Sequence, residues 1–330
     1  MVHLRIVVSA PKSERVVGLL EASPSVSSLA RIDGAARKPR GDLVLCDVAR
    51  EDASVVIDDL RELGVPEQGS ISIEEIDSQL SRAAKRAERA ARGSSGDAVI
   101  WEEVEARTSE SIELNANFLA FIVLACLIAS VGIMLGQPIL IVGAMVVGPE
   151  FGPIAGVCVA IVQRRPDVGL RSLRALAVGF PLGISAAFLF GLFAQGTGLV
   201  DPDFMLGEHP LTAFISEPNT FSFLVALFAG VAGTLSLTAP KSGALVGVLI
   251  SVTTIPAAAA VGVACAFGDW PEWRGAMAQL AINLCAIQIA GVATLLIQRG
   301  VFQRRRARHH RDSSRALAGL PTSSPDRRRR

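Results

Sequence analysis

The chain has 330 residues, 50% of them hydrophobic and 19% charged, and its formal net charge is +1. So neutral a balance supplies no global field for nucleic acid. The five cysteines (Cys46, Cys126, Cys158, Cys265 and Cys285) form no CxxC pair, which argues against a disulfide framework or a thiolate metal site.

Charge is unevenly spread: 1–113 and 299–330 hold most of it, whereas 118–298 are mostly apolar. Four regions are expected: a cytosolic domain at 1–78, a linker with juxtamembrane helices at 79–116, a transmembrane domain at 117–298, and a disordered basic cytoplasmic tail at 299–330. No cationic stretch leading into a short apolar run opens the chain, so the first apolar segment is expected to act as its own targeting signal.

The N-terminal region alternates strand and helix signals. Residues 4–8 are a short β-type run, and Pro11 opens a helical stretch carrying Val16, Val17, Leu19 and Leu20. Two strand candidates follow at 26–32 and 43–48, parted by the polar segment 33–42. Residues 51–63 carry a helical apolar face ended by Gly64-Val65-Pro66, and 70–76 alternate as a last strand would. The order β-α-β-β-α-β predicts an α+β ferredoxin-like plait. Residues 79–92, rich in Ala and Arg, read as a helix broken by Gly93-Ser94-Ser95-Gly96, and 97–114 read as a second amphipathic helix.

Crossing a bilayer as helix takes about 20 apolar residues. Six segments qualify: 118–135, 139–162, 173–193, 221–237, 244–267 and 277–297. Basic residues gather before the first (Arg82, Lys85, Arg86, Arg89), after the second (Arg164, Arg165, Arg171, Arg174) and after the sixth (Arg304, Arg305, Arg306). Residues 197–220 hold Asp201, Asp203, Glu208 and Glu217 but no Lys or Arg. Basic loops stay cytoplasmic, so an α-helical polytopic protein of the cell membrane is expected, with both termini cytoplasmic. Three landmark pairs share one offset (221 − 118, 256 − 153 and 274 − 171, each 103), which predicts a 3+3 inverted repeat.

Two of the six segments contain proline breaks, Gly148-Pro149-Glu150-Phe151-Gly152-Pro153 and Thr253-Thr254-Ile255-Pro256. Proline removes a backbone donor, and broken backbone at membrane depth survives only inside protein or beside a watery path. Paired breaks in two halves point to a transporter-like binding site. The candidate substrate- or ion-binding residues are therefore Gly148, Pro149, Glu150, Gly152, Pro153, Thr253, Thr254 and Pro256, with Asn283 inside the last segment. Glu150 is the sharpest, as a carboxyl at bilayer depth; the plainer reading is a glutamate at a helix break, neutralised by backbone donors or hydrated from one side. Asn283 and Gln288 serve equally as bonds between helices, and the glycines at 148, 152 and 156 as points of close helix approach. No HExxH, GxSxG or Walker pattern occurs, so neither an enzyme nor a cofactor is expected.

The run Gly143-Ala144-Met145-Val146-Val147-Gly148-Pro149-Glu150-Phe151-Gly152-Pro153 resembles the GAM-x-x-x-P-x-x-GP signature of the domain-of-unknown-function 389 family (DUF389), uncharacterised membrane proteins of bacteria and archaea. Arg171-Ser172-Leu173-Arg174, Ile255-Pro256 and Ala281-Ile282-Asn283-Leu284 look similar too, so the resemblance covers about 97–300. It implies the membrane location and architecture but supplies no substrate. Relatives tend to carry Ser-Pro and an apolar residue where Gly148-Pro149-Glu150 stand here, so Glu150 marks a subgroup. The expected function is a transporter or channel for a small solute or ion, with membrane lipids and a homo-oligomer as partners. The alternative is a membrane-anchored sensor or scaffold whose plait domain binds a ligand or partner.

Overall fold

The computed structural model describes residues 1–76, 78–91, 98–200, 204, 215, 218–239, 243–310, 315–316 and 318–322, with only the backbone for 243–253. The chain divides into two compact units, one of Met1–Val104 with Gln298–Arg330 and one of Glu105–Ile297.

The first unit opens β1 (Val2–Val8), α1 (Ala10–Ala22), β2 (Val26–Arg37), β3 (Arg40–Val48), α2 (Arg50–Glu62), β4 (Ser70–Glu75). The strands lie in the order β2-β3-β1-β4 with every neighbouring pair antiparallel. That is the ferredoxin-like arrangement which the element order predicts. The period of two turns Val2, Leu4, Ile6 and Val8 inward, against Val16, Leu19 and Leu20 of α1 and Val56, Ile57 and Leu60 of α2. The polar stretch 33–42 is mostly strand, since β2 and β3 form a long hairpin turning at Lys38-Pro39. Ile32 pairs with Leu43, and after a register shift between Ile32 and Ala36 the pairing resumes with Ala36 opposite Gly41 and Arg37 opposite Arg40. Two helices follow, α3 (Arg82–Ala90) and α4 (Trp101–Ser111); the glycine break at 93–96 lies outside the described residues.

In the second unit come α5 (Ala116–Met134), α6 (Pro138–Val147), α7 (Phe151–Gln163), α8 (Pro166–Gly196), α9 (Thr220–Thr238), α10 (Gly243–Phe267) and α11 (Trp270–His309). Four of them (α5, α8, α9 and α11) are long and apolar enough to cross a membrane, and a fifth span results if α6 and α7, bent by 55°, are one. Six spans were expected. The described side chains of α10 cover only Thr254–Phe267, too short to count as a span by themselves.

Two expectations are overturned. The second break does not interrupt its helix, because α10 runs through Pro256. A single proline costs one hydrogen bond, which neighbouring membrane helices tolerate. Nor is the tail disordered over its described part. Helix α11 continues to His309, and Arg315, Ala318 and Leu320 are buried in the first unit. Local composition suggested an unpartnered segment; its partners stand some 250 residues earlier on α2 (309 − 59).

Candidate functional site: a broken span with a buried carboxylate

The first break behaves as the sequence predicts. Helix α6 stops at Val147, where Gly148 donates its N–H to the Ala144 carbonyl at 3.2 Å. Pro149 brings no donor to continue the ladder. A new helix, α7, begins at Phe151, which puts Pro153 in its first turn. Amides there have no intrahelical partner, so that proline removes nothing.

Glu150 stands at the hinge as the N-cap of α7. Its carbonyl accepts the first helical bond, from Ile154 N–H at 3.1 Å. Its side chain makes no capping hydrogen bond at the start of α7. Oε1 instead accepts a hydrogen bond from Thr254 Oγ1 of α10 at 2.9 Å, and both residues are 0% exposed. The exposed apolar positions of α6 contrast with this, with Ile139 at 81% and Val146 at 62%. An ionisable group at membrane depth costs about 2.5–3.5 kcal/mol on insertion scales and faces protein interior or a polar path. Carboxylate and hydroxyl oxygens together suit a proton or a hard cation and repel an anion.

Of the other candidates, Gly152 fits as a close-approach residue: a Cβ there would stand 2.6 Å from the Ser111 Cβ. The Thr253 side chain lies outside the described residues. Asn283 is fully buried in α11, its Oδ1 accepting from Gln279 Nε2 at 3.0 Å. Gln288 ties α11 to α7, donating from Nε2 to the Ile154 carbonyl at 3.1 Å and accepting from Cys158 Sγ at 3.0 Å. The structure thus joins Glu150 to Thr254 and assigns Gln288 to packing between helices. Among the described residues, no group of three or more His, Cys, Asp or Glu could hold a metal ion.

Four helices long and apolar enough to cross a membrane, with a bent pair as a fifth, are those of a multi-pass membrane protein. Residues 145–289 match the family model of "Domain of unknown function (DUF389)", so the likeness carried by the Gly143–Pro153 signature extends from the broken helix pair into α11. An uncharacterized protein of Methanocaldococcus jannaschii, MJ0678, is 23% identical over 202 residues, 59% of this chain and 58% of that relative. The chain therefore spans less than two thirds of the curated relative that it matches. No solved structure matches.

Proposed function

We propose that the chain is a transporter or channel for an unidentified small solute or ion. It crosses the cell membrane six times as a 3+3 inverted repeat, both termini are cytoplasmic, and the ferredoxin-like unit regulates it. Lipids and a second copy packed through small-residue faces are its expected partners, and it carries out no covalent chemistry.

Helix boundaries support the repeat more closely than side-chain landmarks do. The starts and ends of α5 and α9 differ by 104 (220 − 116 and 238 − 134). The ends of α7 and α10 differ by 104 (267 − 163), as do the starts of α8 and α11 (270 − 166). The N-caps correspond as well: Asn115 accepts from Phe118 N–H and Asn219 from Ser222 N–H, each at 2.8 Å. Three crossings per repeat is odd, so the second repeat enters from the opposite side.

The observation that carries the transport reading is the Glu150–Thr254 hydrogen bond. These residues too are 104 apart (254 − 150). Equivalent positions of two inverted repeats touch only near the two-fold axis relating them, and transporters of this construction bind their cargo at the repeat interface. Purified protein in liposomes should therefore move a solute or ion, with Glu150→Gln altering the rate and flattening its pH dependence. Uptake that stays at the empty-liposome level across protons, alkali cations and small metabolites would sink this reading.

The ferredoxin-like topology favours a second reading, a membrane-anchored sensor. On that reading the intact protein binds a small ligand at micromolar or better affinity but shows no flux.

A further inference from the structure

The described part of the C-terminal segment has the form of a ligand seated on the ferredoxin-like unit. Arg315 and Ala316 are helical, Ala318 and Gly319 lie in a turn, and the φ of Gly319 is +69°. Gly319 N–H donates to the Ala316 carbonyl at 3.1 Å and Leu320 N–H to the Arg315 carbonyl at 2.9 Å. This pair of bonds around a left-handed glycine is a Schellman motif. It presents Arg315, Ala318 and Leu320 from one short, self-closed turn.

All three are buried, Arg315 completely. The Arg315 guanidinium donates through Nη1 to Asp59 Oδ1 and through Nη2 to Glu62 Oε2, the latter at 2.5 Å. Ala318 and Leu320 join the apolar cluster of Val16, Leu19, Leu20 and Leu60. From α1, Arg15 Nε donates to the Ala318 carbonyl at 3.0 Å. Charge, apolar contact and a main-chain bond thus come from different elements of the unit, as in a peptide-recognition groove.

The end of α11 flanks the same acidic face. His309 Nε2 lies 2.7 Å from Asp59 Oδ2, and Arg306 contacts Asp58 and Glu62 at 3.4 and 3.5 Å. We infer that the α1–α2 face of the ferredoxin-like unit is a docking groove for an arginine-anchored turn of the form Arg-x-x-x-Gly-Leu. The chain's own residues 315–320 occupy it in cis as a displaceable ligand. The partner it fits is a segment of the same chemistry, and the tail competes with that segment.

The test uses the protein ending at residue 310, in detergent, with a fluorescent synthetic peptide of residues 313–322 as probe. We expect saturable binding in the micromolar range, weakened at least about tenfold by Arg315→Gln in the peptide, since truncating one partner of a buried charge pair is costly. Gly319→Ala should weaken it several-fold by opposing the left-handed turn. The complete chain should bind the same probe at least about tenfold more weakly, because its groove is filled. Three results would overturn the inference: loss of the ferredoxin-like unit's unfolding transition in the shortened protein, which makes the tail part of the core; a probe that does not bind; or equal binding by the shortened and complete chains. None of these outcomes depends on whether the membrane unit transports.

Discussion

At the scale of single residues, the membrane unit is held by close backbone approaches that local sequence does not announce. Gly262 of α10 is the clearest. A Cβ there would stand 2.5 Å from the Ile184 carbonyl oxygen and 2.6 Å from the Ala187 Cβ, both on α8. Neither obstacle is the end of a flexible side chain, so the helices must part. Gly262→Ala should lower the stability of the detergent-solubilised protein by about 1–3 kcal/mol, read as a fall in midpoint on thermal or denaturant unfolding. Gly143 in α6 is the control, with nothing within 4 Å of its added Cβ. Gly143→Ala should be neutral or stabilise by up to about 1 kcal/mol, by helix propensity alone. Both glycines sit among apolar residues in the sequence, which does not tell them apart. Glu150 was legible because a carboxyl in an apolar run is conspicuous. That Thr254 is its partner was not, because the contact joins residues 104 apart.

At the scale of elements, periodicity exposed most of the first unit. The β-type run at 4–8, the alternation in 70–76 and the 3.6-residue pattern in 51–63 correspond to β1, β4 and α2. The β2–β3 hairpin was underread because its outer half is polar, and cross-strand pairing rather than hydrophobic pattern carries it. In α4, Glu102 accepts from Ser54 Oγ at 2.8 Å and from Arg61 Nη1 at 3.0 Å. Burial nevertheless dominates and holds its carboxyl above the usual range, with the Ser54 hydrogen bond and Arg61 pulling the other way. A carboxyl whose folded pKa is raised favours folding fully below its unfolded value and loses that contribution as pH rises through the folded one. Glu102→Gln should therefore leave the unit equal or weaker near pH 4 and more resistant to opening near pH 8. Cys46 reports this, since burial pushes its thiol up to about 12 and β3 shields it fully. Only opened molecules should react, so iodoacetamide labelling of Cys46, compared between variant and parent at pH 8 where an exposed thiol is reactive, should be slower in the variant. No difference there would mean that the Ser54 and Arg61 contacts offset desolvation, and faster labelling that they outweigh it.

At the scale of the whole molecule, the number of crossings turns on whether α6 and α7 pass through the bilayer or turn back. Their lengths, 10 and 13 residues, give roughly 15 and 20 Å at about 1.5 Å per residue. Bent by 55°, the pair still reaches about 31 Å end to end, close to the roughly 30 Å hydrocarbon core. A re-entrant loop must reverse its direction; a 55° bend leaves the second half advancing. The pair is therefore expected to cross, placing residues 136 and 165 on opposite sides. Charge gives the expected sense: the rule that basic loops stay cytoplasmic predicts a cytoplasmic side for Arg164, Arg165, Arg171 and Arg174 and the opposite side for the acidic sequence between the third and fourth apolar segments. Fusions ending at 136 and 210 should show periplasm-type alkaline phosphatase activity, and fusions at 165 and 330 cytoplasmic fluorescence. If 136 and 165 report one side, the broken segment is re-entrant, the first repeat loses a crossing that the unbroken α10 keeps in the second, and the proposed inverted relation between them fails.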